Sequence, residues 1–178
     1  MKPPERFKWR VYPTWEPPAD RWKSIAHHEA GHVVAAQHYG ITPHSAVVSL
    51  RDGSGHTLLA PQQAEPPSHD EERGALGVFG LVGLADASIV FEEIALRSAV
   101  ILMAGQQAEL MQAGIAPAGV WRTSSQDVRQ ARYLLQKIFG TEIALAWTQL
   151  QARYLLGQHW ESVEKIASEL QKVGAYEC

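Results

Sequence analysis

The run Asp20-Arg21-Trp22-Lys23-Ser24-Ile25-Ala26-His27-His28-Glu29-Ala30-Gly31-His32-Val33-Val34-Ala35-Ala36-Gln37-His38-Tyr39-Gly40 organises the reading of this chain. Asp20 is a candidate N-cap, and Gly40 followed by Pro43 is a stop signal. The segment between them is therefore expected to be a helix of about twenty residues. His28-Glu29-Ala30-Gly31-His32 lies in its middle and fits the pattern H-E-x-x-H. Four residues on a helix advance about 400°, so both imidazoles fall on one face, one turn apart. Both can then reach one tetrahedral metal ion, and Glu29 is the candidate base for a water activated there. The plainer reading of the same five residues is an amphipathic helix with histidines on a partly buried face. Gly31 costs about 1 kcal/mol of helix propensity against alanine, which points to a second segment passing close by.

The bulk composition narrows the alternatives. A chain of 178 residues makes one ordinary domain with a real core. A formal charge of −3 and the lack of a basic cluster give no reason to expect a nucleic-acid partner. Cys178 is the sole cysteine, so a disulfide framework and a cysteine-built zinc site are both excluded. Any metal must be held by His, Asp or Glu. The first residues carry no apolar signal core. The stretch from Gly74 to Val90 is too interrupted by glycines and Asp86 to span a membrane. The expected location is cytoplasmic, with no membrane partner.

Residues 1–19 read as an extended arm, in which Pro3, Pro4, Pro13, Pro17 and Pro18 alternate with Trp9, Tyr12 and Trp15. Such an arm either packs on its own domain or docks on a partner. Residues 20–178 read as a single domain. Strands are expected over Ala46–Leu50 and His56–Ala60, joined by a turn at Arg51–Gly55, as a hairpin directly after the first helix. Glycines at 74, 77, 80 and 83 suit a tightly packed helix face or a flap. Further helices are expected from about Ala87 to Gln112, from Ser124 to Gly140, from Thr141 to Gly157 and from Glu161 to Val173. The fold class is thus mainly α (α+β), with a small β-hairpin beside the H-E-x-x-H helix.

A catalytic zinc site needs three protein ligands and one open position. His27 points about 100° away from His28, and His38 lies off the ligand face. His44, His56 and His69 fall in the hairpin or in loops and stay open as candidates. Two acids stand out. Glu109 sits in an otherwise apolar helix, as a partner of a ligand imidazole or of an Arg or Lys. Asp127 opens a helix three residues after Ser124, which suits a helix cap and a metal ligand equally.

Four segments in order bear a likeness to a known family. His28-Glu29-Ala30-Gly31-His32-Val33-Val34 resembles the start of the peptidase domain of the FtsH family, membrane-anchored ATP-dependent zinc proteases. Val47-Val48-Ser49-Leu50 through Gly55-His56-Thr57 is similar to its hairpin. Ala104-Gly105-Gln106-Gln107-Ala108-Glu109 is similar to its Gly-Gly-Arg-x-Ala-Glu segment, and Thr123 to Ala131 to its Thr-x-Gly-Ala-x-x-Asp-Leu-x-x-Ala-Thr segment. The resemblance spans roughly residues 22–173. It implies an FtsH-peptidase-like, helical zincin-type fold and a bound Zn2+ ion. His28, His32 and Asp127 would be its ligands, Glu29 the general base, and Glu109 an acid bonded behind a ligand imidazole. The departures are as informative. No ATP-binding Gly-x-x-x-x-Gly-Lys-Ser/Thr occurs, no family membrane anchor is present, and Gln106 replaces a glycine or arginine.

Two functions follow as expectations. One is a zinc metallopeptidase that cleaves peptides or unfolded proteins without ATP, alone or with a separate unfoldase or adaptor. The other is a binding or regulatory module on a degenerate peptidase scaffold, with a structural or vestigial metal site. The intact Glu29 favours the first, since a purely structural site has no use for that base. The oxyanion stabiliser would be His56, Arg122 or the metal itself.

Overall fold

A computed structural model describes residues 21–49, 54–59, 88–115, 126–139 and 142–177. Helix α1 spans Arg21–His38, strands β1 and β2 span Pro43–Ser49 and Ser54–Leu59, and α2 spans Ser88–Gln112. Then come α3 (Gln126–Phe139), α4 (Glu142–Gln158), α5 (Trp160–Val173) and a short β3 (Ala175–Glu177). The fold is mainly helical with one three-stranded antiparallel sheet in the order β2-β1-β3. No described helix is long and apolar enough to cross a membrane. The expectations for the arm at 1–19, the cap at Asp20, the glycine run at 74–83, His69, Arg122 and Ser124 lie outside the described residues.

Helix α1 is central. It packs on α2, α5 and both strands of the hairpin. Its sequence explains the placement: from Ala26 to Ala36, every residue except His28 is buried. A helix covered on almost every side must have small or apolar residues all round, which Ala26, Ala30, Gly31, Val33, Val34, Ala35 and Ala36 supply. The core continues through Ile101 and Met103 of α2, Leu135 of α3, Leu145 and Leu156 of α4, and Val163 and Leu170 of α5.

The closest approach is between α1 and α2. A Cβ at Gly31 would lie 2.6 Å from the Ala104 carbonyl oxygen and 2.8 Å from Ala108 Cβ. Gly31 is thus the price in helix propensity of bringing α2 within touching distance of the histidine face.

The hairpin departs from its expected limits. Strand β2 begins at Ser54, inside the expected turn, with Ser54 opposite Ser49 and Gly55 opposite Val48. Gly55 is a strand residue, and Ser54, His56 and Leu58 are exposed while Gly55, Thr57 and Leu59 are partly buried. Strand β1 starts at Pro43, with an irregularity between Pro43 and Ser45. The third strand was not anticipated from the sequence. Gly174, at φ 78°, ends α5 in the left-handed conformation, and its N–H donates to Leu170 O at 2.8 Å. Its own carbonyl accepts from Val48 N–H at 2.9 Å, which starts the pairing of β3 with β1.

Substituting Gly31 by alanine separates two effects. Propensity favours alanine by about 1 kcal/mol, while overpacking against a backbone oxygen costs about 1–3 kcal/mol. The contact is with backbone, so the upper part of that range applies. We expect G31A to lose about 1–2 kcal/mol net in urea denaturation of metal-free protein.

Candidate metal centre

His28 and His32 emerge from the face of α1 that meets α2, and Asp127 reaches them from the first turn of α3. One ligand atom from each of these three residues lies within 4.8 Å of the others. His28 Nε2 is 3.0 Å from His32 Nε2 and 3.1 Å from Asp127 Oδ2, and His32 Nε2 is 3.7 Å from Asp127 Oδ2. Ligands at about 2.0–2.1 Å from a tetrahedral centre stand about 3.3 Å apart, and these three separations bracket that value. The group can therefore hold a metal ion.

The opposite edge of each imidazole is fixed. His28 Nδ1–H donates to Glu109 Oε1, and His32 Nδ1–H donates to the Ile101 carbonyl at 2.8 Å. With Nδ1 committed as donor, Nε2 is the nitrogen presented to the centre. Glu109 is itself held by Ser24, whose hydroxyl donates to Oε2 at 3.1 Å. Ser24 is buried one turn before His28 on α1. Its role was not evident in the sequence, although the i, i+4 spacing to His28 was the available sign.

Gly105 supplies the space. A Cβ there would fall 2.5 Å from His32 Nε2 and 2.7 Å from His28 Nε2. Any side chain at this position would compete with a metal ion for the two nitrogens. The helix thus presents bare backbone to the centre, one turn before Glu109.

The remaining candidates separate cleanly. His27 is buried, bonds Lys23 O through Nδ1 at 2.7 Å and stacks on Trp160. His38 is exposed and its Nδ1 lies 3.3 Å from His159 Nε2. His44 and His56 are exposed on the strands. Because His56 alternates with Gly55 and Thr57, it lies on the exposed face of β2. Among the described residues, no other group of three or more His, Cys, Asp or Glu forms a metal-binding set.

Glu29, 4% exposed, is buried beside the ligand face, where its Oε2 accepts from the Thr57 hydroxyl at 2.6 Å. The acid expected as base thus projects toward β2, and its charge is felt at His28.

No family model matches this chain, and no curated protein matches it.

The electrostatics describe what the metal-free group does. Burial alone would lower the His28 pKa. Hydrogen bonds to Asp127 and Glu109, with the charges of Glu109 and Glu29, outweigh it and hold His28 well above the ordinary imidazole range. Burial would raise Asp127, but bonds to His28 and His32 and their positive charge hold it far below the usual carboxylate range. A proton on His28 Nε2 thus bridges toward Asp127 in the space a cation would take.

The signs fix the pH behaviour. The raised pKa of His28 gives stability that is full below its unfolded value and is lost as pH rises through the folded one. The depressed Asp127 gives stability that is full above its unfolded value and is lost as pH falls through the folded one. For metal-free protein the pair contributes most between about pH 4 and pH 6.5. A metal ion reverses the upper limb, because it requires His28 unprotonated. We expect zinc binding near neutral pH to release a proton, read by calorimetry in buffers of different ionisation enthalpy. Affinity should rise toward about tenfold per pH unit until His28 is deprotonated. G105A should weaken zinc binding at least about tenfold by equilibrium dialysis, since its methyl occupies ligand space.

Proposed function

We propose that the chain is a zinc-dependent hydrolase of peptide bonds, built like the peptidase domain of FtsH-type proteases and acting without ATP on peptides or unfolded segments. The carrying observation is the convergence of His28, His32 and Asp127, with Glu29 between the two histidines on α1. A donor set of two imidazoles and one carboxylate suits zinc and leaves one tetrahedral position for substrate or water.

Each residue has a distinct task in this reading. His28 and His32 present Nε2, Asp127 adds the third donor, and Glu109 and the Ile101 carbonyl keep the imidazoles from rotating. Zinc held there would polarise the scissile carbonyl and acidify a water molecule. Glu29 accepts the proton from the attacking water and returns it to the leaving amine. Its burial keeps bulk water from competing for that proton. The mostly helical fold and the hairpin beside α1 support the likeness in architecture.

The test uses an unstructured protein such as casein and the zinc-loaded chain. E29Q should lower turnover by at least about 10²-fold, the lower range of general-base catalysis, with zinc content unchanged. D127A should lose both zinc and turnover. An E29Q protein as active as wild type overturns the mechanism. A zinc-loaded wild type inert toward every unfolded substrate supports the alternative, a binding module on a peptidase scaffold.

A further inference from the structure

The base candidate is gripped from outside its own helix. Glu29 follows His28 by one residue and is therefore rotated about 100° from the ligand face. Its side chain is flexible, and helix geometry alone does not fix where the carboxylate lies. Strand β2 supplies the missing constraint through two residues on one face. Thr57 Oγ1 donates to Glu29 Oε2 at 2.6 Å and lies 3.4 Å from the Glu29 backbone oxygen. Two positions earlier, Gly55 leaves a notch: a Cβ there would lie 2.6 Å from Glu29 Oε1, 2.8 Å from Glu29 Cγ and 2.8 Å from Ile25 Cγ2.

We propose that Thr57 and Gly55 are positioning residues for Glu29, the first by a hydrogen bond to one oxygen and the second by making room for the other. The proposal rests on the hydrolytic reading above. Neither residue touches the metal ligands in any contact described, so their action passes through Glu29 alone. The grip is set by sheet register: Gly55 stands opposite Val48 and Thr57 opposite Ala46, both buried. Period-two alternation puts 55 and 57 toward α1 together, while His56 between them faces out. A hydrogen bond and a steric notch converge on one carboxylate, and the two can be removed separately.

The experiment compares full-length T57V, T57S and G55A with wild type, all zinc-loaded. T57V keeps the shape and removes the donor, T57S keeps the donor, and G55A fills the notch. We expect T57V and G55A to lose about 10–100-fold in kcat, the scale of a displacement near 1 Å, with KM and zinc stoichiometry unchanged. T57S should recover kcat to within about threefold, as a retained donor requires. A purely structural contact would instead lower zinc content and thermal stability without selectivity for kcat. Wild-type kcat in T57V, or T57S as impaired as T57V, overturns the proposal. If wild-type protein shows no turnover, the hydrolytic reading fails separately, and crystal structures decide the grip. Movement of the Glu29 carboxylate by about 1 Å or more in T57V but not in T57S supports it; an unmoved carboxylate overturns it.

Discussion

Everything at this centre depends on how closely α2 can lie against α1. Two glycines set that distance. Gly31 lets the Ala104 carbonyl and the Ala108 methyl touch α1, and Gly105 lets the α2 backbone approach the two imidazole nitrogens. Were either helix to back away by the width of a methyl group, Ile101 O and Glu109 would lose their reach to His32 and His28. Packing and coordination are thus one constraint. The same crossing that buries Ala30 and Ala104 also orients the ligands.

The polar groups at the crossing are arranged as a chain of acceptors and donors. Ser24 holds Glu109, Glu109 holds His28, and Ile101 O holds His32. Bonds of this kind to charged groups contribute about 1.5–3 kcal/mol each, whereas leaving a buried ion unpaired costs several. The balance explains why three acids, Glu29, Glu109 and Asp127, are tolerated around two histidines. Each has a described partner, and the protonated state of His28 offsets part of their charge in metal-free protein.

The parts of this arrangement that were legible in the sequence are those with local spacing. His28 and His32 share a helix face by arithmetic, and the end of α1 followed from the stop signal at Gly40. Asp127 was balanced between cap and ligand on residues alone, because its meaning depends on where α3 lands. Gly55 was read as a turn residue, since glycine after Asp52-Gly53 signals a turn. Its actual task, clearing space for an acid on α1, is a tertiary fact. Thr57 carried no signal beyond a strand former. Strand β3 is too short to show a period, and its partner residues lie at the other end of the domain. Ser24 offered only its i, i+4 spacing to His28, because its partner Glu109 is on another helix.

Strand β3 and α5 also tie distant parts of the sequence together. Trp22 on α1 donates to Gln171 O across 149 positions, and β1 is flanked by residues 175–177. Helix α1 and strand β1 are thus braced by residues far along the sequence. Contacts of such long range close late and slow folding. A chain synthesised only as far as α3 would hold His28, His32, Glu109 and Asp127 but lack the segment that braces α1 and the sheet. Bracing of the centre is thereby deferred until residues 160–177 have joined the chain.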